Sequence, residues 1–240
     1  MTRTAVIVPA AGRGDRLGPG APKALRDLGG VPMLIHAVRA LATARAVDLV
    51  VVAAPADSVA EVRALLSEHG AEEPSFGRAA AVVVAGGATR QASVAAALSS
   101  LPDDVDVVLV HDAARPLVPV ELVDAIAAAV RAGCPAVVPG LPVNDTIKRV
   151  GPDQDVLETL DRSVLRAIQT PQGFRREVLA AAHAAAQDEA TDDAGLVEAV
   201  GVVVVVIPGA AEAFKVTRPL DLVLAEAVLA RRRAAGVVRV

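Results

Sequence analysis

Residues 4–25, TAVIVPAAGRGDRLGPGAPKAL, decide the fold. An apolar run ends at Pro9, and Gly12, Gly14, Gly18 and Gly20 follow, interleaved with Arg13, Arg16 and Lys23. A Val/Ile/Ala run with no polar alternation reads as a strand covered on both faces, which is the habit of parallel sheets. Glycine lets backbone N–H groups crowd around phosphate oxygens, and Arg and Lys offset their charge. On local composition alone the loop is either such a cradle or a solvated turn. Two familiar phosphate loops do not fit it. A Walker loop needs Gly-Lys-Ser/Thr, and Lys23 follows Pro22. The dinucleotide fingerprint needs G-x-G-x-x-G, whereas Gly12, Gly14 and Gly18 give one residue too many, and no acidic residue follows at the ribose-binding spacing.

Outward from this stretch, Val-rich runs alternate with Ala/Leu segments of helical period. That pattern predicts an α/β fold, a mostly parallel twisted sheet flanked by helices. Strands are expected at 4–10, 47–54, 80–86, 105–112, 136–140 and 200–207, with helices near 32–45, 57–69, 89–100, 119–132, 175–187 and 218–233. Pro119 and Pro219 sit near helix starts, where a missing N–H costs little. One interval departs from the alternation. In residues 141–172 polar and apolar positions alternate around the turn signal GPDQD, which predicts a hairpin leaving the main sheet. A lone hairpin is marginal in water, so this arm needs something to pack on, and a second subunit is the natural candidate.

Composition removes several function classes. The 240 residues suit one domain, 1–240, with the arm at about 141–165. Three Phe and no Trp or Tyr leave no stacking platform for single-stranded nucleic acid, and a net charge of −4 gives no basic field for duplex binding. Cys134, the single cysteine, suits a reducing compartment and reads as a small buried hydrophobe. A strand within four residues of Met1 leaves no room for a secretory leader, and the apolar run near 201–207 is about half a bilayer span. The reading is a soluble cytoplasmic protein with no membrane and no nucleic-acid partner. The arginines of ARRRAAGVVRV read as a solvated helix end.

PAAGRGDRLGPGAPKAL resembles the signature loop of cytidylyltransferases that make nucleoside diphosphate alcohols. Further motifs stand in the same order: GGATRQASV (86–94), VHDAARPLV (110–118), VNDTIK (143–148), LDRSVL and TPQGF (160–174), TDDAGLVE (191–198) and FKVTRPLDL (214–222). Over essentially its full length the chain is similar to the 2-C-methyl-D-erythritol 4-phosphate cytidylyltransferase family of the non-mevalonate isoprenoid pathway.

The resemblance implies a Rossmann-like nucleotidyltransferase fold. It also implies CMP transfer from CTP to the sugar-alcohol phosphate, with Mg²⁺ or another divalent cation and without a general base. Arg16, Lys23 and Lys215 match the cations at the reacting phosphates. Pro9, Ala10, Ala11, Gly12, Gly14, Gly86, Gly87, Ser93 and Asp112 match the CTP site, with Asp112 also near the metal, directly or through water. Ser93 reads equally as a helix-capping hydroxyl, Arg90 as a surface salt bridge, and His111 as a packed residue on the opposite face. Arg115, Thr170 and Thr191 match acceptor-phosphate contacts in the same subunit. Thr146 and Arg162 match contacts delivered by the partner's arm, so a homodimer with arm-exchanged sites is implied.

Two positions depart from the pattern. Ala88 stands where some relatives carry Asp, and Ala213 stands where relatives usually carry Asn. The departures bear on base and metal binding and leave every group assigned to the chemical step. Two other functions fit parts of the pattern: ribitol 5-phosphate cytidylyltransfer, which shares similar DAARP and KVT motifs, and a non-catalytic CTP-binding module.

Overall fold

Successive residues of the first strand point into different cores: Val6 and Val8 into one, Ala5 and Ile7 into the other. Both faces of the sheet are therefore covered. The computed structural model describes residues 3–10, 23–71, 73 and 75–236. In chain order its first half contains β1 (Arg3–Pro9), a short ribbon of β2 (Asp27–Leu28) and β3 (Val31–Pro32), α1 (Met33–Thr43), β4 (Leu49–Ala54) and α2 (Val59–Glu68). Then come β5 (Ala80–Ala85), α3 (Arg90–Ser99), β6 (Val105–Val110) and α4 (Val120–Arg131). The second half contains β7 (Ala136–Pro142), β8 (Lys148–Val150), β9 (Val156–Thr159), β10 (Arg166–Ile168) and β11 (Gln172–Arg175). It closes with α5 (Arg176–Ala185), α6 (Asp193–Ala199), β12 (Val204–Pro208) and α7 (Pro219–Ala234).

The main sheet runs β12-β7-β11-β6-β1-β4-β5, with β10 continuing the line of β11 along β7. β1, β4, β5 and β6 are mutually parallel, as are β7 and β12, and only β10 and β11 run against their neighbours. Leu34, Val62 and Val123 place α1, α2 and α4 on one face. Val94, Leu179 and Val197 place α3, α5 and α6 on the other. A third, smaller cluster seats Ala225 and Leu229 of α7 against Leu28, Met33, Leu117 and Val216. From β1 the chain moves outward through β4 to β5, then returns to β6 on the opposite side of β1. The order reverses between β1 and β6, and open α/β sheets bind ligands outside the carboxyl ends of the strands at such a point.

The six expected strands and six expected helices are all present, with ends shifted by a few residues. The hairpin is present as β8 and β9, antiparallel, with Gln154 at φ 66° in its turn, and every residue of both strands is exposed. The structure corrects the far end of the 141–172 interval. β10 and β11 do not belong to the arm; they return to the sheet, and β11 inserts between β6 and β7. α6 is also additional to the sequence reading. At the arginine-rich end of α7, Arg231 and Arg233 are exposed, as expected of a solvated helix end, and Arg232 is half-buried; Arg231 and Arg232 both pair with Glu212, and Arg232 also donates to the Leu117 carbonyl at 2.8 Å. Cys134 is half-buried and packs against the core edge. Among the described residues, no helix is long and apolar enough to cross a membrane.

β11 fits its slot because Gly173 has no side chain. A Cβ there would stand 2.5 Å from Ile126 Cγ2 and 3.0 Å from Leu109 Cδ2. Gly173→Ala is therefore expected to lower unfolding stability by about 1–3 kcal/mol through overpacking, read as a lower melting temperature. An unchanged melting temperature would show that α4 yields at no cost.

Candidate active site

β6 runs apolar from Val107 to Val110, and the next two residues, His111 and Asp112, are the first polar ones beyond it. The His111 N–H still bonds to the Ile7 carbonyl of β1 at 2.9 Å, so Asp112 emerges beside β1 at the reversal of strand order. Its side chain is only 12% exposed and is met by three cations. Lys215 Nζ lies 2.8 Å from Oδ2, Arg115 Nε 3.8 Å from Oδ2, and Arg90 Nε 3.5 Å from Oδ1. Burial alone would raise this carboxyl, but Lys215, Arg90 and Arg115 outweigh it and hold Asp112 far below the usual carboxylate range. Asp112 is an anion whenever the protein is folded near neutral pH.

The backbone under Asp112 is tied just as closely. Thr170 Oγ1 accepts from the Asp112 N–H at 3.0 Å and contacts His111 Nδ1 at 3.1 Å, while His111 Nε2 faces the Arg115 carbonyl at 3.2 Å. One arrangement satisfies every group: Nε2–H donates to Arg115, and Nδ1 accepts the Thr170 hydroxyl proton. Burial lowers the His111 pKa to about 4, against the pull of Asp112 and of its hydrogen bonds, so the ring is neutral. His111 is fully buried, as a packed residue. The Thr170 hydroxyl, for which the sequence pattern implied a pocket-lining role, thus serves the half-buried Asp112 N–H and a buried ring nitrogen at once. Arg115 is also more committed than a phosphate clamp: its terminal nitrogens donate to the carbonyls of Ala213 (2.7 Å) and Ile168 (3.4 Å).

The glycine pair has a local cause. Gly86 follows β5 and donates to the Ala54 carbonyl at 2.7 Å. A Cβ on Gly86 would lie 2.8 Å from Ser93 Oγ, and one on Gly87 2.5 Å from Ala92 Cβ. The pair lets the first turn of α3 close onto the sheet edge. Thr89 provides the N-cap, accepting from the Ala92 N–H at 3.1 Å. Ser93, fully buried, bonds to the Thr89 carbonyl (2.8 Å) and accepts from the Gly87 N–H (3.1 Å). Its hydroxyl shapes the turn; it is neither the cap nor an open contact.

Arg90 is no surface salt bridge. Besides Asp112 it reaches Asp193 Oδ2 at 2.7 Å, and Asp193 is fully buried with His183 Nε2 at 3.0 Å from Oδ1. Asp193 stands in the TDDAGLVE motif but was given no role, and His183 carried no signal in sequence, because both are brought to Arg90 only by the packing of α5 and α6. Thr191 is exposed just before α6. Thr146 and Arg162 are exposed on the arm, and Arg162 donates to the Asn144 carbonyl. Pro9 and Ala10 end β1, with the Ala10 N–H on the Ala53 carbonyl at 2.9 Å. Ala11, Gly12, Gly14 and Arg16, and the side chain of Lys23, lie outside the described residues.

Among the described residues no three His, Cys, Asp or Glu side chains gather to cage a metal. At this edge Asp112 offers a single carboxylate facing the cations. That donor set suits Mg²⁺, which takes one or two carboxylates together with phosphates and keeps several waters.

The sequence profile of the family "2-C-methyl-D-erythritol 4-phosphate cytidylyltransferase" matches residues 4–231. The chain belongs to this family. A 2-C-methyl-D-erythritol 4-phosphate cytidylyltransferase of Streptomyces avermitilis is 62% identical over 96% of this chain and 93% of its own length. One from Streptomyces coelicolor is 61% identical over 96% and 86%. Among solved structures, the cytidylyltransferase of Thermus thermophilus is 41% identical, with a TM-score of 0.73 and coverage of 96% of this chain and 100% of that one. For a cytidylyltransferase of this family the two departures are now placed. Ala213 is fully buried in the core below Arg115, whose guanidinium its carbonyl accepts, and Ala88 is exposed beside the glycine pair.

Thr170→Val keeps the shape of the side chain and removes the hydroxyl. It is expected to cost about 1–3 kcal/mol of stability, the penalty of leaving buried groups unpaired, and to lower turnover by releasing Asp112, while Thr170→Ser retains both. Melting temperature and turnover measured on the pair check this. Equal behaviour of Val and Ser would remove the hydroxyl bridge from the account.

Proposed function

We infer that this chain transfers CMP from CTP to 2-C-methyl-D-erythritol 4-phosphate, releasing pyrophosphate. The observation that carries the reading is the Asp112 cluster: an ionised carboxylate held among Lys215, Arg90 and Arg115 where the strand order reverses, in a chain of this family. Placing two polyanions together is an electrostatic problem first, and this edge is cationic.

An acceptor phosphate monoester is mostly ionised at neutral pH, so its oxygen can attack the α-phosphorus without surrendering a proton. The site agrees, because the histidine beside Asp112 is buried with both ring nitrogens bonded internally. Catalysis then consists of alignment and charge stabilisation. Lys215, with its side chain 40% exposed, has room to leave Asp112 for a phosphoryl oxygen. Arg16 and Lys23 bring further cations to the triphosphate. The turn of Gly86 and Gly87, held by Ser93, offers backbone groups to the base. A divalent cation arriving with the nucleotide would have Asp112 as its protein carboxylate, directly or through water, and would neutralise phosphate charge.

The arm gives the homodimer its physical basis. Val150, Val156, Leu157 and Val164 are 48–76% exposed on or beside a two-stranded ribbon that cannot be stable alone. A second copy covers them, and Thr146 and Arg162 then meet the acceptor in the partner's site, with Thr191 supplied in the same subunit. A cytoplasmic setting fits the single cysteine, Cys134, which has no second cysteine in the chain to pair with.

Pyrophosphate release is to be measured with CTP and Mg²⁺ against methylerythritol 4-phosphate, ribitol 5-phosphate and no acceptor. Fast release only with methylerythritol phosphate is expected. Release only with ribitol phosphate transfers the reaction to that acceptor, and CTP binding without release leaves a non-catalytic module. Lys215→Ala is expected to slow turnover by roughly 10²–10³, the cost of losing one stabilising charge. Mixing inactive Lys23→Ala and Arg162→Ala chains is expected to restore activity through one intact hybrid site, and no recovery after demonstrated subunit exchange contradicts arm-exchanged sites.

A further inference from the structure

Arg90 sits between two carboxylates and is bound unequally. Its terminal nitrogen makes a 2.7 Å contact with Asp193 Oδ2, whereas its Nε stays 3.5 Å from Asp112 Oδ1, longer than an ordinary charge-assisted hydrogen bond. Asp193 is well able to hold it. The residue is fully buried in the first turn of α6, with His183 Nε2 on its other oxygen at 3.0 Å. α6 itself is pinned from two sides. Gln172 of β11 donates to Asp192 Oδ2 (2.7 Å) and accepts from the Ala194 N–H (3.1 Å), and Gln91 of α3 accepts from the Ala190 N–H (3.1 Å).

We propose that Asp193 is a positioning residue for cytidylyl transfer, a buried counter-anchor that keeps Arg90 from closing onto Asp112. This role rests on the function inferred above, and its physical basis is a competition for charge. Asp112 Oδ2 is already taken by Lys215 at 2.8 Å, so Oδ1 is the oxygen left to serve an incoming nucleotide and its cation. With Asp193 replaced by an amide, the guanidinium has one carboxylate instead of two, and it shifts onto Oδ1. Asp112 then carries two close ion pairs and has nothing left to offer a ligand. The same tie reaches the acceptor side of the site, because Thr191 lies two residues before Asp193 on the segment that Gln91 and Gln172 fasten.

The test is a double-mutant cycle on the full-length protein with Asp193→Asn and Arg90→Met, reading kcat and KM for methylerythritol phosphate transfer together with CTP affinity by calorimetry without acceptor. Asp193→Asn alone is expected to weaken CTP binding and lower kcat/KM by about ten-fold or more, the scale of a misplaced contact at a reacting centre. In the Arg90→Met background the same substitution is expected to change neither quantity by more than about two-fold, since no guanidinium remains to be restrained. Equal losses from Asp193→Asn in both backgrounds overturn the proposal and leave Asp193 a merely structural residue. If Asp193→Asn does not fold, Arg90→Met against the double variant carries the test alone; the double lacks both partners, which is gentler than removing one. A further ten-fold loss there overturns it. Absence of turnover in the wild type with retained CTP binding would count against the inferred reaction, while the calorimetric cycle still decides the role of Asp193.

Discussion

Everything at the carboxyl edge of this sheet depends on keeping Asp112 ionised out of bulk water. A carboxylate with 12% exposure would be protonated or displaced if it stood alone. It is neither, because Lys215, Arg90 and Arg115 converge on it from three different parts of the chain. Each of those segments is thereby fixed relative to β6. The arrangement requires desolvation of several charges, and it leaves a preset cationic edge that needs little reorganisation when a triphosphate arrives.

The scaffold explains how such a cluster can be held in place. Small aliphatic side chains pack both faces of β1 and β6, so the strands approach their helices closely and the sheet edge is rigid. Gly173 admits β11 beside β6, and the residues just before it carry Thr170 to the Asp112 N–H. The Arg115 guanidinium joins the Ala213 and Ile168 carbonyls, which ties the segment carrying Lys215 to the strand β10 that leads back from the arm. The strand leading back from the arm, the segment carrying Lys215 and the end of β6 therefore meet at one residue triplet, Asp112, Arg115 and Lys215.

Much of this was legible in sequence, for reasons that differ by element. β1, β4 and β6 announce themselves because strands buried on both faces read as nearly unbroken apolar runs, and β5, half-exposed at the edge of the sheet, shows as an unbroken Ala/Val run. β10 and β11 do not: Arg166–Ile168 and Gln172–Arg175 are too short for a period to show, and their place is set by pairing with distant strands. The seven residues of α6 are equally short. At the site, Asp112, Lys215, Arg90 and Asp193 all stand in recognisable motifs, but the tie from Arg90 to Asp193 spans 103 residues, and neither motif shows that the two meet. Thr170 and Ser93 were visible as hydroxyls in the right motifs. That both are engaged internally follows only from the half-buried backbone N–H groups they serve. The pairing of Arg231 and Arg232 at the arginine-rich helix end was hidden for the same reason, since Glu212 reaches them from a separate segment.

Charge stabilisation, with no protein base, is what carries the transfer on this view. The pH dependence of kcat with both substrates saturating tests it most directly. A single rise is predicted near pH 6, where the acceptor phosphate loses its second proton (pKa about 6), followed by a plateau through the neutral and mildly alkaline range. A second ionisation in that range, persisting when the acceptor is changed for one of different phosphate pKa, would reveal a protein base and contradict charge stabilisation as the sole source of catalysis.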